Sequence, residues 1–278
     1  MKRFLAILLL SMLVFSFASC AYMSGSELQD FVSSSAKRFR DTAYGFDSYS
    51  MTYTTIMFSN SAQKYVSFSV SSVFDRKSGI TCSEILLDGS SYMSFFIKGD
   101  KVYYDTILGE EKKISASVDS ISDFRYLTDV EARLAVATLP LTLSASELRE
   151  MKTKVYVNTE NEKTSYTFSL GKKFLEYACE NTSGVFETVL MQSQSSLNNV
   201  KIEEYEISYV LNESGSVEAI TDVNKFTVKS NGSTLTYDCG VSIKKYNGTL
   251  EFDESKYSSS DVGEYIKNNE KDGLFICQ

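Results

Sequence analysis

Over most of this chain apolar side chains recur at every second position, and that period narrows the choice of architecture sharply. Met51, Tyr53 and Thr55 alternate with small polar residues, and Val66, Phe68, Val70 and Phe74 do so more strictly. Tyr205, Ile207, Tyr209 and Leu211 repeat the pattern, as do Leu235, Tyr237, Cys239, Val241 and Ile243. A period of two sends successive side chains to opposite faces of a strand, so one face is buried and the other is wet. Turn formers separate the runs: Asn60-Ser61-Ala62, Asp75 to Gly79, Gly99-Asp100, Asn212 to Gly215 and Asn231-Gly232. Only short turns stand between most neighbouring runs, which predicts antiparallel meanders. Further strands are expected over 81–87, 91–98, 101–107, 154–158, 164–170, 217–221 and 226–229.

Elsewhere the period lengthens. Ser24-Gly25-Ser26-Glu27 reads as a capping box, the serine and glutamate each satisfying an orphan amide of the first turn. Leu28, Phe31, Val32, Ala36 and Phe39 follow at helical spacing, predicting a helix over 25–40 with Gly45 near its end. Ile121, Phe124, Leu127, Val130, Leu134 and Ala137 also fall at helical intervals, until Pro140, the only proline, breaks the run. Ser144 to Glu147 is a second capping box, opening a short helix through Met151. Residues 171–197 read as one or two helices interrupted at Asn181 to Gly184, and 258–269 as a short closing helix. About ten strands with helices inserted between them predict an α+β fold, a large curved antiparallel sheet of half-barrel type with helices covering one face. Nothing resembles a Pro- or Gly-rich linker, so residues 20–278 are expected to form a single domain.

The first nineteen residues stand apart. Lys2 and Arg3 precede an apolar stretch from Phe4 to Phe17, and the small residues Ala18 and Ser19 lead to Cys20. A basic start, an apolar core and a small-residue cleavage site are the parts of an export signal. The core is shorter than the ~20 apolar residues that span a bilayer. Phe17-Ala18-Ser19-Cys20 resembles the lipobox of bacterial lipoproteins, with Phe17 where that pattern prefers Leu. The resemblance implies that residues 1–19 are a lipoprotein signal peptide and that the Cys20 thiol is the lipid anchor. The mature chain would then be held at the cell membrane, facing away from the cytoplasm, through diacylglyceryl-cysteine and palmitate-type chains. The alternatives are an ordinary secretory signal or a short retained membrane helix.

Charge and missing residue types exclude whole classes of chemistry. Removing Lys2 and Arg3 from 28 basic residues leaves 26 against 36 acidic ones, a net charge of −10. Such a chain lacks the clustered cations that nucleic-acid binding needs, and it is not drawn to anionic head groups. Membrane attachment then falls to acyl chains, at about 0.8 kcal/mol per buried CH₂. There is no histidine and no tryptophan. Ser-His-Asp and Cys-His mechanisms and His-ligated zinc are therefore excluded. Enzymes using carboxylates or lysine, such as a carboxylate hydrolase, survive that filter, but no paired acids can be assigned a geometry. The chain is thus expected to be no enzyme, with no cofactor and no metal.

Cys82, Cys179, Cys239 and Cys277 accompany Cys20. They permit two disulfides in three pairings, or they are buried thiols, and no CxxC spacing singles out a redox or metal pair. Glu110 to Lys113 reads as a solvated hairpin end. Glu204 and Glu206, beside Glu203, share one strand face, but the glycine-turned ligand loop of a calcium site is missing. The sequons at Asn181, Asn212, Asn231 and Asn247 read as turn chemistry.

Three segments carry a further resemblance: Ile97-Lys98-Gly99-Asp100-Lys101-Val102-Tyr103-Tyr104, the strand-turn-strand from Tyr205 to Val217, and Lys245-Tyr246-Asn247-Gly248. With the helix that follows the lipobox, they make residues 25–257 resemble the LolA/LppX-like superfamily of lipid- and lipoprotein-carrier folds. The missing Trp and scarce Pro depart from some members. The resemblance implies a curved half-barrel sheet whose apolar face, under its helices, holds a lipid or other apolar small molecule. The alternative is a surface interaction or adhesion module in which the same aromatics fill a solid core.

Overall fold

Among the described residues thirteen strands make one sheet, in the order β1-β8-β9-β10-β11-β12-β2-β3-β4-β5-β6-β7-β13. The computed structural model describes residues 21–117, 130–160, 163–181, 200–230 and 233–259. Residues 1–20 with Cys20, expected as the anchor, the positions Ile121, Phe124 and Leu127 expected to be helical, the turn expected at Asn161, Asn231, and Cys277 lie outside the described residues. In chain order β1 (Ala21–Tyr22) leads into helix α1 (Gly25–Phe31), a π turn (Val32–Ala36) and α2 (Lys37–Tyr44). The first meander is β2 (Ser48–Ser59), β3 (Lys64–Asp75), β4 (Ile80–Leu87), β5 (Ser90–Lys98), β6 (Lys101–Ile107) and β7 (Glu110–Ser117). Then come α3 (Val130–Thr138), a 3₁₀ turn (Leu139–Thr142), α4 (Ala145–Glu150), β8 (Lys154–Glu160), β9 (Lys163–Ser169) and α5 (Lys172–Asn181). The second meander is β10 (Val200–Leu211), β11 (Val217–Ser230) and β12 (Ser233–Lys245), followed by a 3₁₀ turn (Glu254–Lys256) and β13 (Ser258–Ser259).

The two meanders join where β12 pairs antiparallel with β2 along eleven residue positions, Leu235 opposite Ser59 through Lys245 opposite Tyr49. Every pairing is antiparallel except that of β13 with the edge strand β7. Among the described residues the sheet does not close, and its edges are β1 and β13. Short turns hold the register. Leu108 and Gly109 take φ of 51° and 78°, the pair of positive values that a tight type I′ hairpin turn requires.

All five α-helices whose packing is described lie against one face. Phe31 of α1 and Phe39 of α2 both meet Tyr166 of β9, with ring centroids 5.1 Å apart in each case. Phe174 of α5 packs edge-on to Tyr205 of β10 at 5.7 Å. α3 rests on β2, β3 and β11, and α4 on α1. The inward positions are those that the alternation named: Met51, Tyr53, Val70, Tyr205, Ile207, Tyr209, Tyr237, Cys239, Val241 and Ile243 are all buried. The α+β architecture and the helical cover on one face are as expected. Both capping boxes form, Ser24 with Glu27 and Ser144 with Glu147.

Three expectations are corrected. The first helical run continues to Tyr44 beyond a π turn, where Ser33 and Ser34 hydroxyls donate back to the Asp30 carbonyl at 3.0 and 2.5 Å. The strands expected over 217–221 and 226–229 are one strand, β11, kept continuous by pairing on both sides. Ser258 and Ser259 form β13 rather than opening a helix, and the rest of 258–269 lies outside the described residues. Of the two alternatives for the cysteines, thiols are found: no disulfide joins Cys82, Cys179 and Cys239 to one another, and Cys82 and Cys239 carry free thiols.

Candidate functional site

Two neighbouring rows of the inner face differ from the rest. Across β10, β11, β12, β2 and β3 the first row reads Ile207, Asp222, Val241, Tyr53, Val70. The next reads Tyr205, Asn224, Cys239, Thr55, Phe68. A largely apolar surface, whose other buried polar groups include the Ser72–Ser83 hydroxyl pair, therefore gathers a carboxyl, an amide, a thiol, a hydroxyl and two phenols under α3. Two residues apart on one strand means the same face, so register alone brings them together.

The helix supplies the cation. Val130, Arg133, Leu134 and Ala137 form the buried stripe of α3, and Arg133 occupies an apolar slot while only 8% exposed. Its guanidinium carbon stands 4.6 Å from the centre of the Tyr53 ring. Nε and Nη2 have no hydrogen-bond partner among the described residues. A desolvated cation over a ring gains about 2 kcal/mol, less than the several kcal/mol that burying a charge costs. The helix is well held nonetheless: Tyr209 Oη donates to the Ala137 carbonyl at 2.6 Å, and Glu131 pairs with Arg76 at 3.2 Å.

Burial dominates the electrostatics. It pushes the Asp222 carboxyl up to about 6, against the opposing pull of the Asn224 amide, which donates to Oδ1 at 3.2 Å, and of Arg133. It raises the Cys239 thiol to about 11, so the sulfur is protonated at neutral pH and a poor nucleophile. The Tyr53, Tyr205 and Tyr209 phenols are raised for the same reason. Thr55 Oγ1 lies between Tyr53 Oη and Cys239 Sγ, 3.4 Å from the sulfur. The arrangement can receive a small charged group at the guanidinium; it holds no activated nucleophile.

Other candidates are dispersed. Glu204 and Glu206 lie on the face away from Tyr205, beside an open groove of about 490 Å³ whose lining includes Leu170, Lys172 and Ile202. Burial, then Glu204, raises the Glu206 carboxyl. No cluster of three or more metal-ligating side chains occurs among the described residues. Glu110 and Glu111 are exposed at the β6–β7 hairpin. Asn212 serves its turn, Oδ1 accepting from the Ser214 and Ser216 amides at 3.1 and 3.0 Å. Among the described residues no helix is long and apolar enough to cross a membrane.

Arg133, Asp222 and Asn224 were not singled out from the sequence, although a signal existed. Arg133 lies three residues after Val130 and four before Ala137, inside the apolar stripe. Asp222 and Asn224 continue the inward positions begun by Ile220.

No family model matches the sequence, and no curated protein matches it. The structure is similar to the solved lipoprotein LppX of Mycobacterium tuberculosis, at 9% identity and a TM-score of 0.38, over 81% of this chain and 99% of that one. It is also similar to an outer membrane lipoprotein-sorting protein domain from Vibrio parahaemolyticus, at 8% identity and a TM-score of 0.27, over 84% and 98%. Likenesses this remote do not carry function across, so the chain's own residues must supply it.

Proposed function

We propose that residues 20–278 form one lipid-anchored, extracytoplasmic domain, tethered through Cys20. The domain is non-enzymatic and binds a lipid or other apolar ligand between the sheet and its helices. The observation that carries this reading is the contrast between the two layers. The sheet is tied by continuous ladders of paired strands. Its cover is one helical run from Gly25 to Tyr44 with a π turn inside it, and separate helices of six to ten residues, one of them followed by a 3₁₀ turn. Short helices resting on an aromatic floor can part from it at less cost than paired strands can separate. Phe31, Phe39, Tyr166, Phe168 and Tyr209 make that floor and cover apolar.

Native mass spectrometry of the mature chain carrying Cys20→Ser, purified without detergent, tests the binding. A lipid adduct lost on denaturation is expected, and a clean apo mass overturns the reading. In parallel, an alkyne-palmitate label should enter the wild-type chain and not the Cys20→Ser chain; equal labelling of both rejects the anchor.

One feature favours an interaction module instead. Tyr65 is 70% exposed at the β2–β3 hairpin tip, packed 4.5 Å from Phe58. Exposed paired aromatics of this kind suit a protein partner.

A further inference from the structure

We propose that Arg133 is the head-group receptor of the interior, and that the ligand is an amphiphile with a small anionic head, carboxylate or phosphate, on an acyl chain. This rests on the ligand-binding reading above and narrows it to a chemical class.

Geometry supports the assignment. Arg133 projects from α3 onto the sheet, its guanidinium over the Tyr53 ring, and is more than nine-tenths buried. Its Nε and Nη2, adjacent donors on one edge of a planar fork, are the two nitrogens without a partner among the described residues. That edge matches the two oxygens of a carboxylate or phosphate, the bidentate pairing for which guanidinium geometry is suited. Asp222 is the buried carboxyl that Arg133 attracts, yet it takes its hydrogen bond from Asn224 and makes no contact ion pair with Arg133 among the described residues. Around the guanidinium the remaining polar groups are neutral: the Tyr53 phenol, the Thr55 hydroxyl and the Cys239 thiol. Beyond them the surface is apolar and aromatic, as an acyl chain requires: Val70, Val241 and Ile207 flank the polar rows, and Tyr209 and Phe168 stand edge to face at 5.6 Å. A neutral apolar ligand would leave the fork unsatisfied. An anion would complete it and would favour the protonated form of Asp222, putting a contact pair in place of the longer-range attraction between Arg133 and the Asp222 carboxylate.

The test compares three probes that share one chain: oleate, oleoyl lysophosphatidic acid and oleyl alcohol, titrated by calorimetry into the mature chain carrying Cys20→Ser. One or both acids should bind about tenfold or more tighter than the alcohol, the gap expected of a charge-assisted hydrogen-bonded pair. Which acid leads tells carboxylate from phosphate. Arg133→Gln should abolish the gap while leaving the alcohol's affinity within about twofold, and Arg133→Lys should restore part of it. Equal binding of acids and alcohol, or an unchanged gap in Arg133→Gln, overturns the head-group assignment and leaves the apolar-ligand reading standing. Failure of all three probes to bind a folded chain overturns both. Should Arg133→Gln not fold, carboxyl-¹³C oleate bound to the chain with Arg133 intact decides. Its titration midpoint should fall below the value in solution, and a midpoint unchanged or raised overturns the proposal, as does an ordered water as the sole partner of the fork.

Discussion

Asp222 lies between Ile207 and Val241 on the inner face, 6% exposed, and its carboxyl titrates near 6 rather than at its ordinary 3.8 because burial disfavours the charge. The consequence for stability has a definite sign. Below about pH 4 the acid is protonated whether the chain is folded or not, and it costs nothing. Between about pH 4 and 6 the folded chain keeps a proton that the unfolded chain has released, so stability falls as pH rises. Above about pH 6 the loss is complete, roughly 3 kcal/mol for a move from 3.8 to about 6 at 1.36 kcal/mol per pH unit. Asp222→Asn keeps the shape and removes the titration. Urea unfolding from pH 4 to 7 should show the variant gaining on the wild type by up to that amount. Glu206, also raised, is common to both chains, and any constant effect on Arg133 cancels in the slope. Parallel pH profiles would refute this account of the carboxyl.

At the scale of elements, helix α4 ends in a way that its sequence does not advertise. The Lys152 amide donates to the Arg149 carbonyl at 3.0 Å and the Thr153 amide to the Leu148 carbonyl at 2.9 Å, the paired bonds of a Schellman ending. That motif needs a left-handed residue, and Lys152 adopts it at φ 58° although a side chain there is strained. Lys152 is exposed, so Lys152→Gly should raise stability by about 1 kcal/mol, read from the denaturation midpoint at unchanged m-value; a loss would mean that the lysine side chain holds the turn. The same contrast explains what the sequence disclosed. Half-buried antiparallel strands print a period of two, so the meanders, their turns and the buried face of β12 were legible. Where polar residues face inward the print breaks: Asp222 and Asn224 made β11 read as two strands, and Arg133 was hidden among Val130, Leu134 and Ala137. The fold was thus legible because it follows the apolar pattern, and the polar centre was not because it interrupts that pattern. β13 escaped for another reason, since two residues paired parallel to β7 carry no period at all.

For the whole molecule, the decisive geometry is how little chain separates the proposed anchor from the folded body. Ala21 and Tyr22 already pair with Val157 and Tyr156 of β8, and the Met23 amide donates to the Val155 carbonyl at 3.0 Å. An acylated Cys20 would be followed at once by sheet, with one residue's reach of about 3.6 Å in place of a flexible spacer. The β1 edge would then lie against the head groups. Tyr22, 58% exposed with its ring 6.0 Å from that of Tyr156, offers the amphipathic side chain that favours such an interface. Acidic repulsion opposes close approach of the rest of the body, so contact should be confined to this edge on zwitterionic vesicles and weaken on anionic ones. The chain contains no tryptophan, so Tyr22→Trp introduces a single reporter. In the lipidated protein on phosphatidylcholine vesicles its emission should be blue-shifted and quenched by brominated acyl chains. Inserting ten Gly/Ser residues between Cys20 and Ala21 should return the emission to that of the unanchored chain, because the edge is then free to leave the surface. Emission that is already water-like without the insertion would rule out edge-on docking, even with the anchor in place.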